Sequence, residues 1–444
     1  MPDLPPAVRD LHVRVAGERR GQLRAFAVAA PRRGDTCPGW TIRISGSVAS
    51  AGSPVQAIEA VIPGRILATV RPQVPDASQV QPEPDPSLAN ARFTLAVDTL
   101  PLPREFNFRL RVTLADGERH KVATVRGIRE PLGTGYTPRL QPLLVTSLGR
   151  MGTTVLMRML AAHPAVIAYA RPPYEVRAGK YWMHLLKTLA APTDATKRVG
   201  APMEFHLEPL AVGGNPFTSA AFDPWPEVAA WADAEYVPAL AAFCQQSIDG
   251  WYLTVAAAQG KETAPLVCFA EKHFPDDYPR LLREIYPAAR ELFLVRDCRD
   301  MIASMVAYNA RKGFADFGRN AAESDREWLD DLHRAVGALR DAWRERGSSQ
   351  LLVRYEDLVR APETTLPPLL AALDLDSAPA TVASMIAAAA PDAPELRGHG
   401  TAASPAASIG RWQQDLSPDL IAAVASRFDD LLQEFGYLES SHAD

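Results

Sequence analysis

The sequence is short of cysteine, of excess charge and of long apolar runs, and each shortage removes a class of protein. Four cysteines, Cys37, Cys244, Cys268 and Cys298, are scattered over 444 residues. None stands at the C-x-x-C spacing of a metal or redox site. They read as reduced core residues rather than as a disulfide framework. Lys and Arg number 47 against 52 Asp and Glu, a formal net charge of −5. A chain that wraps nucleic acid carries a basic excess, so no nucleic-acid partner is expected. A local phosphate pocket needs only a few Arg or Lys and stays open. No segment reaches the roughly 18 apolar residues of a membrane span. The Ala-rich stretch at 381–390 is too short and follows a helical pattern. The start, MPDLPPAVRDLHVRVAG, has no basic head followed by an apolar run, which predicts no secretory leader and a cytoplasmic location by default. Oligomeric state has no signature in the sequence.

What is present is a globular composition, 47% hydrophobic and 22% charged. The length implies two domains. Residues 7–130 hold short runs rich in Val, Ile, Phe and Thr: LHVRVAG, QLRAFAVAA, WTIRISGSVAS, IEAVIPG, RILATVRP, ARFTLAVDTL, FNFRLRVTLADG and HKVATVRG. Several alternate apolar with polar residues, the period of half-buried strands. Asp116-Gly117 between two runs predicts a hairpin. The expectation is an antiparallel β-sandwich over 1–130, interrupted by a Pro-rich polar loop at 73–87. REPLGTGYTPRL (129–140) reads as a linker.

From 139 to 444 the texture changes. QPLLVTS, ELFLVRD and LLVRYEDL read as strands, and TTVLMRMLAAH, RDMIASMVAYNA and TTLPPLLAALDL as the helices behind them. Strands alternating with helices predict an α/β domain with a central parallel sheet covered on both faces. Residues 196–262 read as helical or loop insertion material that shapes an acceptor site.

The chemistry is concentrated in segments of this second part. In Leu143–Thr154 a buried strand enters a Gly-containing turn and then a helix, so consecutive backbone N–H groups and a helix N-terminus aim at one spot, an anion site. Gly149 and Gly152 let the backbone approach, Thr153 and Thr154 offer hydroxyls, and Arg150 offers charge. The bland alternative is a strand–turn–helix corner with capping threonines. The loop is not a Walker A motif, which requires Lys before Ser or Thr. In LFLVRDCRDMIAS, Arg296 ends a strand and Ser304 lies on the following helix, a spacing that lets a guanidinium and a hydroxyl meet one phosphate.

The loop Arg150-Met151-Gly152-Thr153-Thr154 resembles the 5′-phosphosulfate loop of sulfotransferases that use 3′-phosphoadenosine 5′-phosphosulfate (PAPS), with Met151 where Ser is usual. Met159–Pro164 extends the likeness to the family's LxxHP. Arg296–Ser304 resembles the family's 3′-phosphate segment, with Cys298 in place of Pro. Leu352–Leu358 is similar to the YEDL segment, where Tyr355 lies near the adenine, and Ser408–Trp412 to the C-terminal GxW loop, where Arg411 meets the 3′-phosphate. The resemblance covers about residues 139–440. It implies PAPS as cosubstrate, no metal, and a cofactor set of Arg150, Met151, Gly152, Thr153, Thr154, Arg296, Ser304, Tyr355, Arg411 and Trp412. The charges of Glu356 and Asp357 carry no chemistry in this reading.

Ala270–Pro275 (AEKHFP) resembles the family's EKTP, which implies that Lys272 reaches the sulfuryl group or the acceptor. Glu175, in ARPPYEVR, stands where tyrosyl-protein and heparan-type members carry a catalytic Glu. The implied catalytic set is Glu175 as base with Arg150 and Lys272. Glu175 paired with Arg171 or Arg177 is the bland alternative, and Glu271, His273 and His184 are the other candidate bases.

The expected activity is sulfuryl transfer to a hydroxyl or amine acceptor, a small molecule or a saccharide. Two rivals remain: a nucleotide or sugar kinase, and a catalytically silent carbohydrate-binding or scaffold protein of the same fold. The first would need Mg²⁺ and a phosphate Lys. The second has no physical need to keep Arg150, Arg296, Ser304 and Arg411.

Overall fold

The computed structural model describes residues 6–16, 21–72, 91–171, 176–192, 225–313, 317–319, 322–347, 351–390 and 400–438. The strands of the first part are β1 (Val8–Val15), β2 (Leu23–Ala30), β3 (Asp35–Cys37), β4 (Thr41–Ser50), β5 (Val55–Ile62), β6 (Arg65–Val70), β7 (Ala91–Asp98), β8 (Glu105–Leu114) and β9 (Arg119–Arg129). Period-two patterning builds them. In β8, Phe106, Phe108, Leu110, Val112 and Leu114 are buried while Glu105, Asn107 and Arg109 face water. The strands form two antiparallel sheets, one in the order β3-β1-β9-β8-β5-β6 and one in the order β2-β4-β7. One core, with Phe26, Ile44, Phe93, Leu95, Phe106 and Val125, draws on both sheets, as a sandwich requires. The turn at Asp116-Gly117 joins β8 to β9 as the sequence predicts, and the Gly117 N–H donates to the Leu114 carbonyl. The short edge strand β3 has no alternation to reveal it. The Pro-rich stretch read as a loop lies outside the described residues.

The second part supplies β10 (Gln141–Thr146), α1 (Thr153–Ala162), β11 (Val166–Ile167), α2 (Ala178–Ala190), α3 (Pro226–Trp231) and α4 (Val237–Ala258). A π-turn at Ala232–Tyr236 joins the last two. There follow β12 (Cys268–His273), α5 (Asp277–Ile285), β13 (Arg290–Val295), α6 (Cys298–Lys312), α7 (Asp325–Arg346), β14 (Leu352–Arg354), α8 (Tyr355–Arg360), α9 (Pro362–Ala372), α10 (Pro379–Ala388), α11 (Trp412–Asp415) and α12 (Pro418–Glu434). By contacts the chain divides into two compact units, Met1–Thr137 with Trp182–Gln245, and Pro138–Tyr181 with Gln246–Asp444.

In the second unit five parallel strands lie in the order β11-β12-β10-β13-β14, with β10 at the centre. Both faces are covered, so the strands read as unbroken apolar runs. Leu292 and Leu294 pack into a core with α1, α8, α9 and α10. Phe293 and Val295 point the other way, into a core with α6, α7 and α12. The expected α/β architecture with its central parallel sheet is therefore present, as are the antiparallel sheets of the N-terminal part. Among the described residues no helix is long and apolar enough to cross a membrane.

Candidate functional site

The C-terminal ends of β10, β12 and β13 are level with one another: Thr146 pairs with His273 on one side and Phe293 on the other. The loops leaving these ends meet at one cavity of about 490 Å³. Ligands in open α/β sheets bind at such an edge.

The turn after β10 owes its shape to Arg150 and Gly152. Both have left-handed backbone angles, φ 65° at Arg150 and 88° at Gly152. A Cβ on Gly152 would lie 2.1 Å from the Tyr355 ring, so no other residue fits there. Gly149 has open space around its missing Cβ and needs no such exemption. Gly152 caps α1 without any side-chain bond, and Gly152, Thr153, Thr154 and Val155 all line the cavity, so the first turn of the helix faces it. Met151 is fully buried in the core under α6, α7 and α12. Its side chain is absent from the cavity lining, and only its backbone belongs to the turn.

Two of the three arginines singled out by sequence converge here. Arg150 Nε donates to Ser304 Oγ at 3.1 Å, and its guanidinium lies 4.8 Å over the Tyr308 ring. Arg296, only 4% exposed, donates to the Arg150 carbonyl at 3.1 Å and to the Ser408 carbonyl at 2.5 Å. It stacks 4.8 Å over the Tyr355 ring, yet its buried Nε has no hydrogen-bond partner among the described residues. A buried N–H left unmet costs about 1–3 kcal/mol. Lys272 lines the cavity from β12, with its Nζ 5.5 Å from the Phe274 ring centre. Tyr355 O–H meets Ser408 Oγ at 3.1 Å, and burial pushes its pKa up.

Arg411 and Trp412 do not line the cavity. Arg411 reaches its edge through Thr401, donating to Oγ1 at 2.8 Å, and is otherwise paired with Asp415. Trp412 lies under the Arg299 guanidinium at 4.4 Å. The carboxylate beside Tyr355, Glu356, accepts the Asp297 N–H at 3.1 Å and the Tyr437 O–H at 2.6 Å. Its work is structural, and burial raises its pKa. Asp357 is exposed.

The candidate bases separate. Glu175 lies outside the described residues. Glu271 is fully buried and accepts from the Gly179 N–H at 2.5 Å, the Lys180 N–H at 3.3 Å, Tyr252 O–H and His273 Nε2 at 3.0 Å. Its four contacts leave it anchoring α2 to β12. His273 is equally buried, and His184 stands half-buried on α2 in the first unit. Neither lines the cavity.

Sequence reasoning missed Tyr308, Arg311, Phe317 and the segment Gly400–Pro405, all of which line the cavity. Ser304, Tyr308 and Arg311 fall at i, i+4 and i+7 on α6, so helical spacing from Ser304 would have found two of them. The GTAASPAAS stretch carries no such signal.

The sequence model of the sulfotransferase family matches residues 142–379. No curated protein sequence matches the chain. Similar solved structures include the sulfotransferase STF9 from Mycobacterium avium, at 17% identity over 67% of this chain and 77% of that one, with a TM-score of 0.33. A sulfotransferase domain from the curacin biosynthetic pathway matches at 14% identity over 66% of this chain and 99% of that one, with a TM-score of 0.36. The mouse sulfotransferase SULT7A1, solved with PAP, matches at 12% identity over 43% and 72%, with a TM-score of 0.27.

Proposed function

This chain belongs to the sulfotransferase family, and from that membership we propose that it moves a sulfuryl group from PAPS to a hydroxyl or amine acceptor, a small molecule or a saccharide. One observation carries the reading. Arg150, Arg296, Lys272 and the first turn of α1 converge on a single cavity, and the Arg296 Nε is buried without an acceptor among the described residues. A dianionic phosphate supplies the acceptor that this N–H lacks.

In this reading Arg296 and Ser304 hold the 3′-phosphate, and Tyr355 lies against the adenine. The turn Arg150–Thr154 holds the 5′-phosphosulfate, with Met151 contributing backbone alone. The acceptor oxygen or nitrogen gives its proton to a base and forms a bond to sulfur. The bond from sulfur to the bridging oxygen breaks, and that oxygen keeps the electron pair on PAP. Lys272 and Arg150 face the charge that grows on the bridging oxygen. Arg411 closes the rim through Thr401. Glu175 is our assignment for the base. The β-sandwich of residues 1–130 is an accessory domain to the catalytic part, 139–444. The four unpaired cysteines fit a reducing, cytoplasmic setting.

Calorimetric titration of the full chain with PAP, without Mg²⁺, tests the donor site. Micromolar binding that Arg296→Ala loses supports it. Absence of binding to the wild-type chain refutes it.

A further inference from the structure

The six-stranded sheet of the sandwich has one face in the core and one in water, and the water face is basic. Register places its side chains in rows. His12, Arg126 and Asn107 stand side by side on β1, β9 and β8, and Arg14, Thr124 and Arg109 form the next row. Beyond them Lys121 is opposite Arg111, and Arg119 opposite Thr113. Arg14, Arg109, Arg119, Lys121 and Arg126 are all exposed. Neighbouring strands stand about 4.8 Å apart and same-face residues on a strand about 7 Å apart, so these five cations form a tight lattice.

Among the described residues, the carboxylates near them are few and mostly taken up by other partners. None of the five has an ion pair or side-chain hydrogen bond among the described residues. Glu59, the carboxylate within the lattice, is held by Arg111 at 2.7 Å and by Thr113. Asp10 and Glu130, at one margin, are paired with Arg9. Glu105 stands at the same end, opposite Ile128. Arg126 is the diagonal neighbour of both Arg14 and Arg109, and Lys121 faces Arg111, so like charges repel across this face. A chain of net charge −5 that concentrates cations so closely carries a standing repulsion that a polyanion would relieve.

We propose that this face binds an acidic glycan, an extended saccharide chain bearing sulfate or carboxylate groups. Four of the five cations are arginines, whose planar forks take such oxyanions in pairs of hydrogen bonds. Single-stranded nucleic acid would ask for aromatic platforms, and the only aromatic ring on these rows is the half-buried His12. Duplex DNA admits a helix or a two-stranded ribbon into its groove, not the face of a six-stranded sheet. The choice of a saccharide polymer rests on the sulfotransferase reading, because a sulfated glycan is what successive turnovers on a glycan acceptor would produce. The charge complementarity rests on the sheet alone.

The test uses the full chain and an end-labelled, sulfated glycosaminoglycan decasaccharide, followed by fluorescence anisotropy over a range of salt. The triple variant Arg109→Gln, Lys121→Gln, Arg126→Gln removes three exposed cations and no core contact. We expect salt-dependent binding by the wild type. In the triple variant the affinity should fall about tenfold or more, and the log–log salt slope should be shallower by about two to three. Neutral dextran should not compete. Equal affinity of variant and wild type, or tighter binding of a duplex DNA of similar length, would overturn the proposal. PAP titration of both proteins runs in parallel. Glycan binding without PAP binding would uphold the basic face and refute the donor reading instead.

Discussion

Asp300 holds the loop that follows the 400s segment: its Oδ2 accepts the Gly410 N–H at 2.7 Å and its Oδ1 the Trp412 N–H at 3.0 Å. Asp300 is 1% exposed, and burial raises its pKa against the pull of those two bonds. The residue between the two donors is Arg411, which grips Thr401 at the cavity rim. One carboxylate on α6 thus positions a strap whose other end lines the pocket.

Replacing Asp300 with Ala should therefore loosen the strap without touching the cavity lining. Each buried N–H left unmet costs about 1–3 kcal/mol. We expect a lower Tm and a PAP affinity weakened by about tenfold, or roughly 1.4 kcal/mol. The fall in affinity should follow a slower association and faster dissociation of PAP, measured by stopped flow. A variant with lowered Tm and wild-type PAP kinetics would confine Asp300 to stability.

Gly152→Ala makes a sharper demand on the turn. The new Cβ meets the Tyr355 ring and also forces a left-handed backbone on Ala, a strain of about 1–3 kcal/mol. PAP binding should fall below detection. The double variant Gly152→Ala, Tyr355→Ala removes the clash but not the backbone strain. It should recover thermal stability in part while remaining a poor PAP binder. Full recovery of binding in the double variant would show that the turn tolerates a side chain and that the tight approach is incidental.

The assignment of the base separates two glutamates by their readouts. Glu175→Gln should abolish turnover and leave PAP affinity and Tm unchanged. Glu271→Gln should do something different: an amide turned toward four donors leaves buried groups unsatisfied. We expect a Tm lower by several degrees and a diminished, nonzero turnover at permissive temperature. Retained turnover in Glu175→Gln would remove Glu175 from the mechanism.

How much of this was legible before the structure follows from which signals are local. Strands buried on one face announce themselves by alternation, as β8 does. The parallel strands β10 and β13 show as short apolar runs ending in Ser147 and Arg296. The turn between β10 and α1 was legible because its demands are local: Gly152 at a positive φ, then a helix. What could not be read is assembled over long separations. The bonds from Arg296 to Ser408 and from Asp300 to Gly410 join residues more than a hundred positions apart. Arg411 was singled out by family resemblance, and only tertiary contacts show that it reaches the rim through Thr401. Glu271 illustrates the converse. An acidic residue beside a Lys that lines the cavity looks like a base until its four donors are counted.

The sandwich has its own pH dependence, set by Asp98 at the end of β7. Its carboxylate accepts the Leu100 N–H at 2.9 Å, but burial dominates and pushes its pKa up from 3.8 to about 6. The folded state then holds the proton more tightly than the unfolded chain does. Between pH 4 and 6 the native state binds more protons, so stability falls as pH rises through that window. Ionising this half-buried group costs on the order of 2–3 kcal/mol at neutral pH, at about 1.4 kcal/mol per pKa unit. Asp98→Asn keeps an oxygen for the Leu100 N–H and carries no charge. Its urea-unfolding midpoint should match that of the wild type near pH 4 and exceed it increasingly from pH 5 to 7. Parallel midpoints across that range would mean that Asp98 is already compensated by the neighbouring Lys187, Arg129 and Arg65 charges, and that the sandwich does not sense pH through it.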